Sequence, residues 1–437
     1  MNEKKMSYPK MAIFGLQHMF AMFGATILVP MLTGLSVQVT LIAVGIGTLI
    51  FHFISKGKIP AFLGSSFAFM VGINLIADEY TGIFAGGDLT QQERLAYATG
   101  AILVSGLVYL FFALLIKLVG VKRFMKFVPP VVTAPTVILI GIMLAPWAIR
   151  QSNNNWILAI ITLGIVIVAS SWGKGMIKII PILLGIMGAY LVALVIHFTG
   201  LADNVAFFAN TDGTAILDFS RASDASIVGL PPFMAPRFNV VSILIMIPFA
   251  LATIAEHIGD IVALGTITGK NFVDDPGLSR TLLGDGIASM FSGAIGGPAS
   301  TTYGENVGVV ALTRIFNPRV VQIGAIFATI LAFSPLFASV IYSIPEAIIG
   351  GASFMLYGMI AAVGIRNLVE SRVDISKTKN LTIIAVILVT GLGLRFGPAI
   401  TFTIGTTNVP MDRLGIAIAV VLGVVLNIIL PDQEPEQ

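Results

Sequence analysis

The chain has 437 residues, 56% hydrophobic and 11% charged, with 25 basic and 22 acidic side chains and no cysteine. A soluble domain carries about a quarter charged residues, so this composition, with a mean hydropathy of +0.96, describes a polytopic membrane protein. The absent cysteine excludes disulfides, thiolate nucleophiles and Cys-ligated metals.

Apolar runs long enough to cross a bilayer, about 17–25 residues, recur from end to end. They lie near 11–31, 38–54, 60–77, 97–118, 128–147, 156–172, 177–198, 239–263, 279–294, 302–318, 320–341, 345–363, 380–395 and 413–430. No cleavable presequence is expected ahead of them. About 14 spans, an even number, put both termini on one side. With these spans, 19 of the 25 basic residues fall on the N-terminal side, which the positive-inside rule assigns to the cytoplasm. The net charge of +3 is then a topogenic bias of cytoplasmic loops and no nucleic-acid signal. The long outer loops, roughly 78–96 and 199–238, read as loops without a soluble domain.

In chain order, the first span carries Gln17-His18, and the second and third carry Gly45, Gly47, Pro60 and Ser65-Ser66-Phe67. The same succession returns as His257, Gly284, Gly286, Pro298 and Thr301-Thr302-Tyr303, at offsets of 236 to 239. Seven spans separate the copies, so the second is inserted upside down, the inverted-repeat layout of many secondary transporters. The third span of each copy, KIPAFLGSSFAF and GGPASTTYGEN, piles Pro, Gly and hydroxyl residues at membrane depth. An unpaired backbone amide there costs several kcal/mol. The economical solution is an extended stretch followed by a half-helix whose free N–H groups face a bound polar group.

The eighth span holds AEHIGD, with Glu256, His257 and Asp260 inside an apolar run. A carboxylate at a span centre costs about 2.5–3.5 kcal/mol on insertion scales, so its retention points to a site. Glu256 and Asp260 share one helix face, and Glu305 follows the Tyr303-Gly304 break at a half-helix N-terminus. Three carboxylates in one cavity suit hydrogen-bond donors, protons or both. The bland alternative is a structural network in which His257 neutralises Glu256. Asp285 and Glu346 read as span-end residues within reach of water, and His52 and His197 as interfacial. The four histidines lack metal-ligand spacing, so no metal or cofactor is expected. A flat heterocyclic amide such as uracil would satisfy such a cavity, with carboxylates accepting from ring N–H groups and backbone amides donating to its carbonyls. A sugar or a cation also fits, and a free inorganic anion fits poorly.

The stretches QHMFAMFGATILVP (17–30), GKIPAFLGSSFAF (57–69), AEHIG and above all TTYGENVGVVALTR (301–314) resemble the nucleobase/ascorbate transporter family, also called nucleobase:cation symporter 2. The last contains that family's signature in Glu305, Asn306, Gly308, Thr313 and Arg314. The resemblance covers nearly the whole chain and is strongest to the bacterial uracil branch. It implies an all-α membrane fold of 14 spans in two inverted sevens, with short strands and half-helices in spans 3 and 10. It divides the chain into a core domain, 11–126 and 239–341, and a gate domain, 127–198 and 342–430. It also implies a homodimer in membrane lipid and elevator-like transport. Carried over by residue, Glu256 and Glu305 would hold the base, and the backbone at Phe67 and Gly304 would donate to its carbonyls. Ala25, Ser66 and Tyr303 would line the pocket, with Tyr357 nearby. Glu at position 305 resembles the uracil branch, whereas Asp260 stands where uracil carriers can have a histidine and purine carriers an Asp. Asp260, Glu256 and His257 are therefore the candidate proton carriers. The expected activity is uracil import by proton symport, with a xanthine or other purine symporter as the alternative. An anion exchanger is disfavoured by the three acids, and an enzyme by the lack of a nucleophile–base pair or metal set.

Overall fold

The computed structural model describes residues 6–77, 89–121, 123, 129–205, 208–398, 400–404 and 407–431. The first half runs α1 (Tyr8–Thr33), α2 (Val37–Ile54), β1 (Leu63–Ser65), α3 (Phe67–Ala77), α4 (Gln91–Val119), α5 (Pro130–Ser152), α6 (Trp156–Trp172) and α7 (Pro181–Thr199). The second runs α8 (Val240–Thr268), α9 (Leu278–Ile295), β2 (Ser300–Thr302), α10 (Gly304–Thr313), α11 (Pro318–Leu331), α12 (Pro335–Tyr342), α13 (Glu346–Glu370), α14 (Thr378–Phe396) and α15 (Met411–Ile429). A hairpin of β3 (Thr401–Ile404) and β4 (Thr407–Pro410), which hydropathy does not announce, precedes α15.

Among the described residues eight helices are long and apolar enough to cross a membrane alone, and a ninth if α11 and α12 form one bent span. This is a multi-pass membrane protein. Hydropathy undercounts elements such as α9, where Arg280 and Asp285 sit among glycines and serines. The span expected near 320–341 is broken in two: α11 and α12 meet at 86°. Pro335 cannot continue the helical ladder and disfavours helix at the residue before it. The groups freed by the break are taken up by the outer loop, as Gly229 N–H donates to Phe333 O (2.9 Å) and Leu336 N–H donates to Ser226 O (3.0 Å).

Two sets of helices pack among themselves. α4 lies on α8 and α9, α2 on α9 and α11, and α1 on α11; α5 lies on α13, α14 and α15, and α6 on α7 and α13. Bare backbone makes the closest crossings: a Cβ on Gly106 of α4 would stand 2.8 Å from Gly286 O of α9. Without a hydrophobic drive between helices in lipid, such small-residue contacts supply the dispersion energy that holds spans together.

The strands join the two halves. β1 and β2 are antiparallel, with Leu63 opposite Thr302, Gly64 opposite Thr301 and Ser65 opposite Ser300. Each half thus satisfies at mid-fold the backbone groups that its interrupted third segment leaves free.

Candidate functional site

The antiparallel pairing fixes where the two short helices begin. α3 starts two residues after Ser65, and α10 starts two residues after Thr302, at opposite ends of the three-residue ribbon. At about 3.3 Å per residue, their N-termini face one another across roughly one small ring. The helices, 11 and 10 residues long, each span about half the ~30 Å hydrocarbon core. Their free first-turn N–H groups concentrate positive potential at the ribbon.

The ribbon is fastened by side chains. Tyr303 Oη donates to Ser65 O (2.5 Å), its ring lies over Gly64, and the Phe67 ring stacks near it with centroids 6.2 Å apart at 20°. Ser66 N–H donates to Ala299 O (2.8 Å), while its buried hydroxyl has no hydrogen-bond partner among the described residues. Asn306 Nδ2 donates to Pro60 O (3.0 Å) and its Oδ1 meets His18 Nδ1 at 2.9 Å, so α10, α1 and the entry to β1 are locked together. In the sequence Asn306 has only a signature role, and no spacing in the repeat assigns it this contact.

α8 brings the acids. Glu256 is exposed and Asp260, one turn on, is half-buried. Asp260 Oδ1 lies 3.8 Å from where a Cβ would stand on Gly304, which puts a carboxylate beside the first residue of α10. His257, between them in sequence, turns the other way. Its Nδ1 meets Asp285 Oδ2 at 2.9 Å and Thr302 Oγ1 at 3.2 Å, and its Nε2 meets Thr281 Oγ1 at 2.9 Å. The supposed His257–Glu256 neutralisation is therefore replaced by a His257–Asp285 pair, since a 100° step per residue puts neighbours on different faces. Asp285, expected near water, is fully buried. Thr301 Oγ1 also donates to it (3.2 Å). The clue was present in Gly284-Asp285-Gly286, where small flanks let α9 pack tightly. His52 likewise is buried rather than interfacial, its Nε2 3.0 Å from Ala61 O.

The remaining expected residues are not gathered in the same way. The side chains of Ala25 and Glu305 lie outside the described residues; their backbones belong to α1 and to the first turn of α10. Tyr357 is buried on α13, which packs against α5, α6 and α7. Among the described residues no group of three His, Asp or Glu stands close enough to hold a metal ion.

Two interrupted helices meeting at their N-termini beside carboxylates, within a bundle of apolar spans, define a membrane carrier. Residues 9–400 match the model of the xanthine/uracil permease group, described as "Permease family", and the chain belongs to this family, the nucleobase/ascorbate transporters. It is 39% identical to the uracil permease of Bacillus subtilis (strain 168), over 97% of this chain and 93% of that one. It is 38% identical to the uracil permease of Bacillus caldolyticus (95% and 91%) and 34% to that of Escherichia coli (strain K12) (95% and 90%). Its fold is also similar to the transmembrane domain of a cyanobacterium bicarbonate transporter, BicA (TM-score 0.62, 16% identity, 97% of this chain and 99% of that one). The murine anion transporter Slc26a9 gives a TM-score of 0.68 at 9% identity, over 98% and 69% of the chains. At such identities the likeness extends to the fold alone. The relatives are permeases, and the chain is a transporter, not an enzyme.

Proposed function

We propose that the chain imports uracil across the bacterial cytoplasmic membrane by proton symport. The observation that carries the reading is the ribbon: the N-termini of α3 and α10 flank it, with Asp260 beside Gly304. A uracil placed there receives backbone N–H groups of Phe67 and Gly304 on its carbonyls, gives its ring N–H groups to Glu256 and Glu305, and is covered by Phe67 and Tyr303. Ala25 and Ser66 line the pocket, and Tyr357 stands on the facing helix set. Three relatives named uracil permeases, 34–39% identical along nearly the whole chain, favour uracil over a purine.

For the proton, both ring nitrogens of His257 are engaged, and the ring serves to hold α8 on α9 and β2. Glu256 is exposed and Asp260 half-buried, and both are placed to change charge as solute arrives. Protonation of Asp260 from outside offsets the cost of moving a buried carboxylate with the solute.

The element order of the two halves supports 14 spans in two inverted sevens, with both termini cytoplasmic. The two packing sets support a core domain (11–126 and 239–341) that slides in elevator fashion against a gate domain (127–198 and 342–430) within a homodimer in membrane lipid. From the ribbon toward Gly269, Gly259, Val262 and Thr266 on α8 and Gly308 and Ala311 on α10 are exposed. A Cβ on Gly259, Gly308 or Gly358 would meet nothing within 4 Å, as expected for a cleft open to the cytoplasm.

Uptake of radiolabelled uracil into proteoliposomes under an imposed inward proton gradient, with and without excess unlabelled xanthine, tests the reading. Gradient-driven uptake indifferent to xanthine is expected; abolition by xanthine makes the purine reading the right one, and uptake unaffected by the gradient sinks proton coupling.

A further inference from the structure

We propose that the end of the molecule bearing the start of α1 and the turns after α2, α8 and α10 carries a second binding site, for a phosphoryl anion, distinct from the ribbon site. A basin of about 1280 Å³ opens there, and three cations reach it, Lys58 and Lys270 from the connections after α2 and α8 and Arg319 from the first turn of α11. Two carboxylates share the basin, and both are already engaged. Asp275 pairs with Lys58, and Asp274 accepts from Asn271 Nδ2 at 2.6 Å. Among the described residues Lys270 and Arg319 have no carboxylate within ion-pair distance.

Backbone donors add to these charges. α1 begins in the basin at Tyr8, whereas at the start of α11 Pro318 has no N–H and Asn317 Oδ1 accepts from Arg319 N–H (3.1 Å), so that end contributes the Arg319 guanidinium alone. The N-cap of α1, Ser7, makes no side-chain hydrogen bond to the first turn; Pro9 carries no N–H, and the Tyr8 and Lys10 N–H groups have no hydrogen-bond partner among the described residues. An ammonium, a guanidinium and open first-turn amides converging from different directions match an anion with several oxygens, as a phosphoryl group has. A monocarboxylate would leave part of that set unused.

The consequence reaches the ribbon. Lys270 follows α8, which carries Glu256 and Asp260, and Arg319 follows α10, which starts at Gly304. A ligand held by both ties together the far ends of the two helices that form the solute site. By the positive-inside rule this face is cytoplasmic, so the phosphoryl group comes either from a soluble phosphate ester or from an anionic lipid headgroup of the inner leaflet. The binding claim stands whether or not uracil is the solute, because it is measured without solute.

The test uses the full chain, purified in detergent and in nanodiscs of phosphatylcholine alone or with phosphatidylglycerol. Melting temperature is followed against uridine monophosphate, inorganic phosphate, and sodium chloride at matched ionic strength, for wild type, Lys270→Ala/Arg319→Ala, and Lys270→Arg. We expect a saturable upward shift with a phosphoryl ligand that the double variant loses or needs at least about tenfold more ligand to reach, a difference of ~1.4 kcal/mol, and that Lys270→Arg retains. A shift with the soluble esters assigns the site to cytoplasmic phosphates, and a shift only with phosphatidylglycerol assigns it to lipid. Equal shifts in wild type and double variant, or the same shift with sodium chloride, overturn the proposal.

Discussion

His257 and Asp285 meet through Nδ1 and Oδ2 at 2.9 Å, and neither side chain has any exposed surface. The pair ties α8 to α9, while Thr281 and Thr302 occupy the rest of the imidazole. Removing one partner leaves the polar atoms of the other buried without a hydrogen bond, a cost of about 1–3 kcal/mol. His257→Ala should therefore lower the melting temperature severely, whereas Asp285→Asn, which keeps an acceptor for Thr301, should lower it less. Thermal unfolding of the purified variants decides it; a His257→Ala protein that melts with wild type would show that the pair holds nothing together.

Gly64 has no side chain because the Tyr303 ring occupies that space: a Cβ there would stand 1.9 Å from Tyr303 Cε2. Gly64→Ala must displace the ring, which covers the solute in the proposed site, and with it the Tyr303–Ser65 hydrogen bond. Equilibrium uracil binding should weaken by at least about tenfold, or ~1.4 kcal/mol. Tyr303→Phe, which loses only the hydroxyl's hydrogen bond, should cost about 0.5–1.5 kcal/mol. Equal affinity for Gly64→Ala and wild type would mean that the ring does not shape the site.

The ribbon and its short helices are legible in the sequence because Pro60, Pro298 and the adjacent Gly and hydroxyl residues cannot form uninterrupted helix at membrane depth. The carboxylates of α8 are legible because their insertion cost singles them out. What hydropathy cannot convey is side-chain direction. Asp285 looked peripheral because small polar residues around it lower the local hydropathy, yet those same residues let α4 and α2 pack closely on α9 and exclude water. The α11–α12 bend was missed although Ser334-Pro335 marks it, because the apolar run continues across the break and the loop residues that satisfy the freed groups, Ser226 and Gly229, lie about a hundred positions upstream.

Glu93 couples the start of α4 to the outer loop. Its carboxylate accepts from Thr90 N–H (3.0 Å) and Thr90 Oγ1 (3.1 Å) in a capping box, and from Arg237 Nη1 (3.1 Å). The Thr90 backbone hydrogen bond first, then the Thr90 hydroxyl and Arg237, hold its pKa below the usual carboxylate value. A depressed folded-state pKa contributes stability that is present above the unfolded value and lost as pH falls through the folded one. The melting temperature of wild type should exceed that of Glu93→Gln at neutral pH, and the gap should close as pH drops below the carboxylate range. A gap that persists in acid, or is absent at neutral pH, contradicts the assignment.

Asp260 and Glu256 stand one helical turn apart, and the reading of the site gives them separable duties. Glu256 is exposed on α8 and is the proposed solute ligand, so Glu256→Gln, which replaces an acceptor oxygen by a competing donor, should weaken uracil binding by tenfold or more, ~1.4 kcal/mol. Asp260, beside Gly304, is the proposed proton carrier, and Asp260→Asn fixes the neutral state. It should still bind uracil and exchange it with unlabelled uracil across a proteoliposome membrane, yet lose gradient-driven accumulation. The separation is the informative part, because a merely misfolded site loses exchange and accumulation together. If Asp260→Asn accumulates uracil as wild type does, the proton travels elsewhere, and Glu256 becomes the group to which solute and proton both bind.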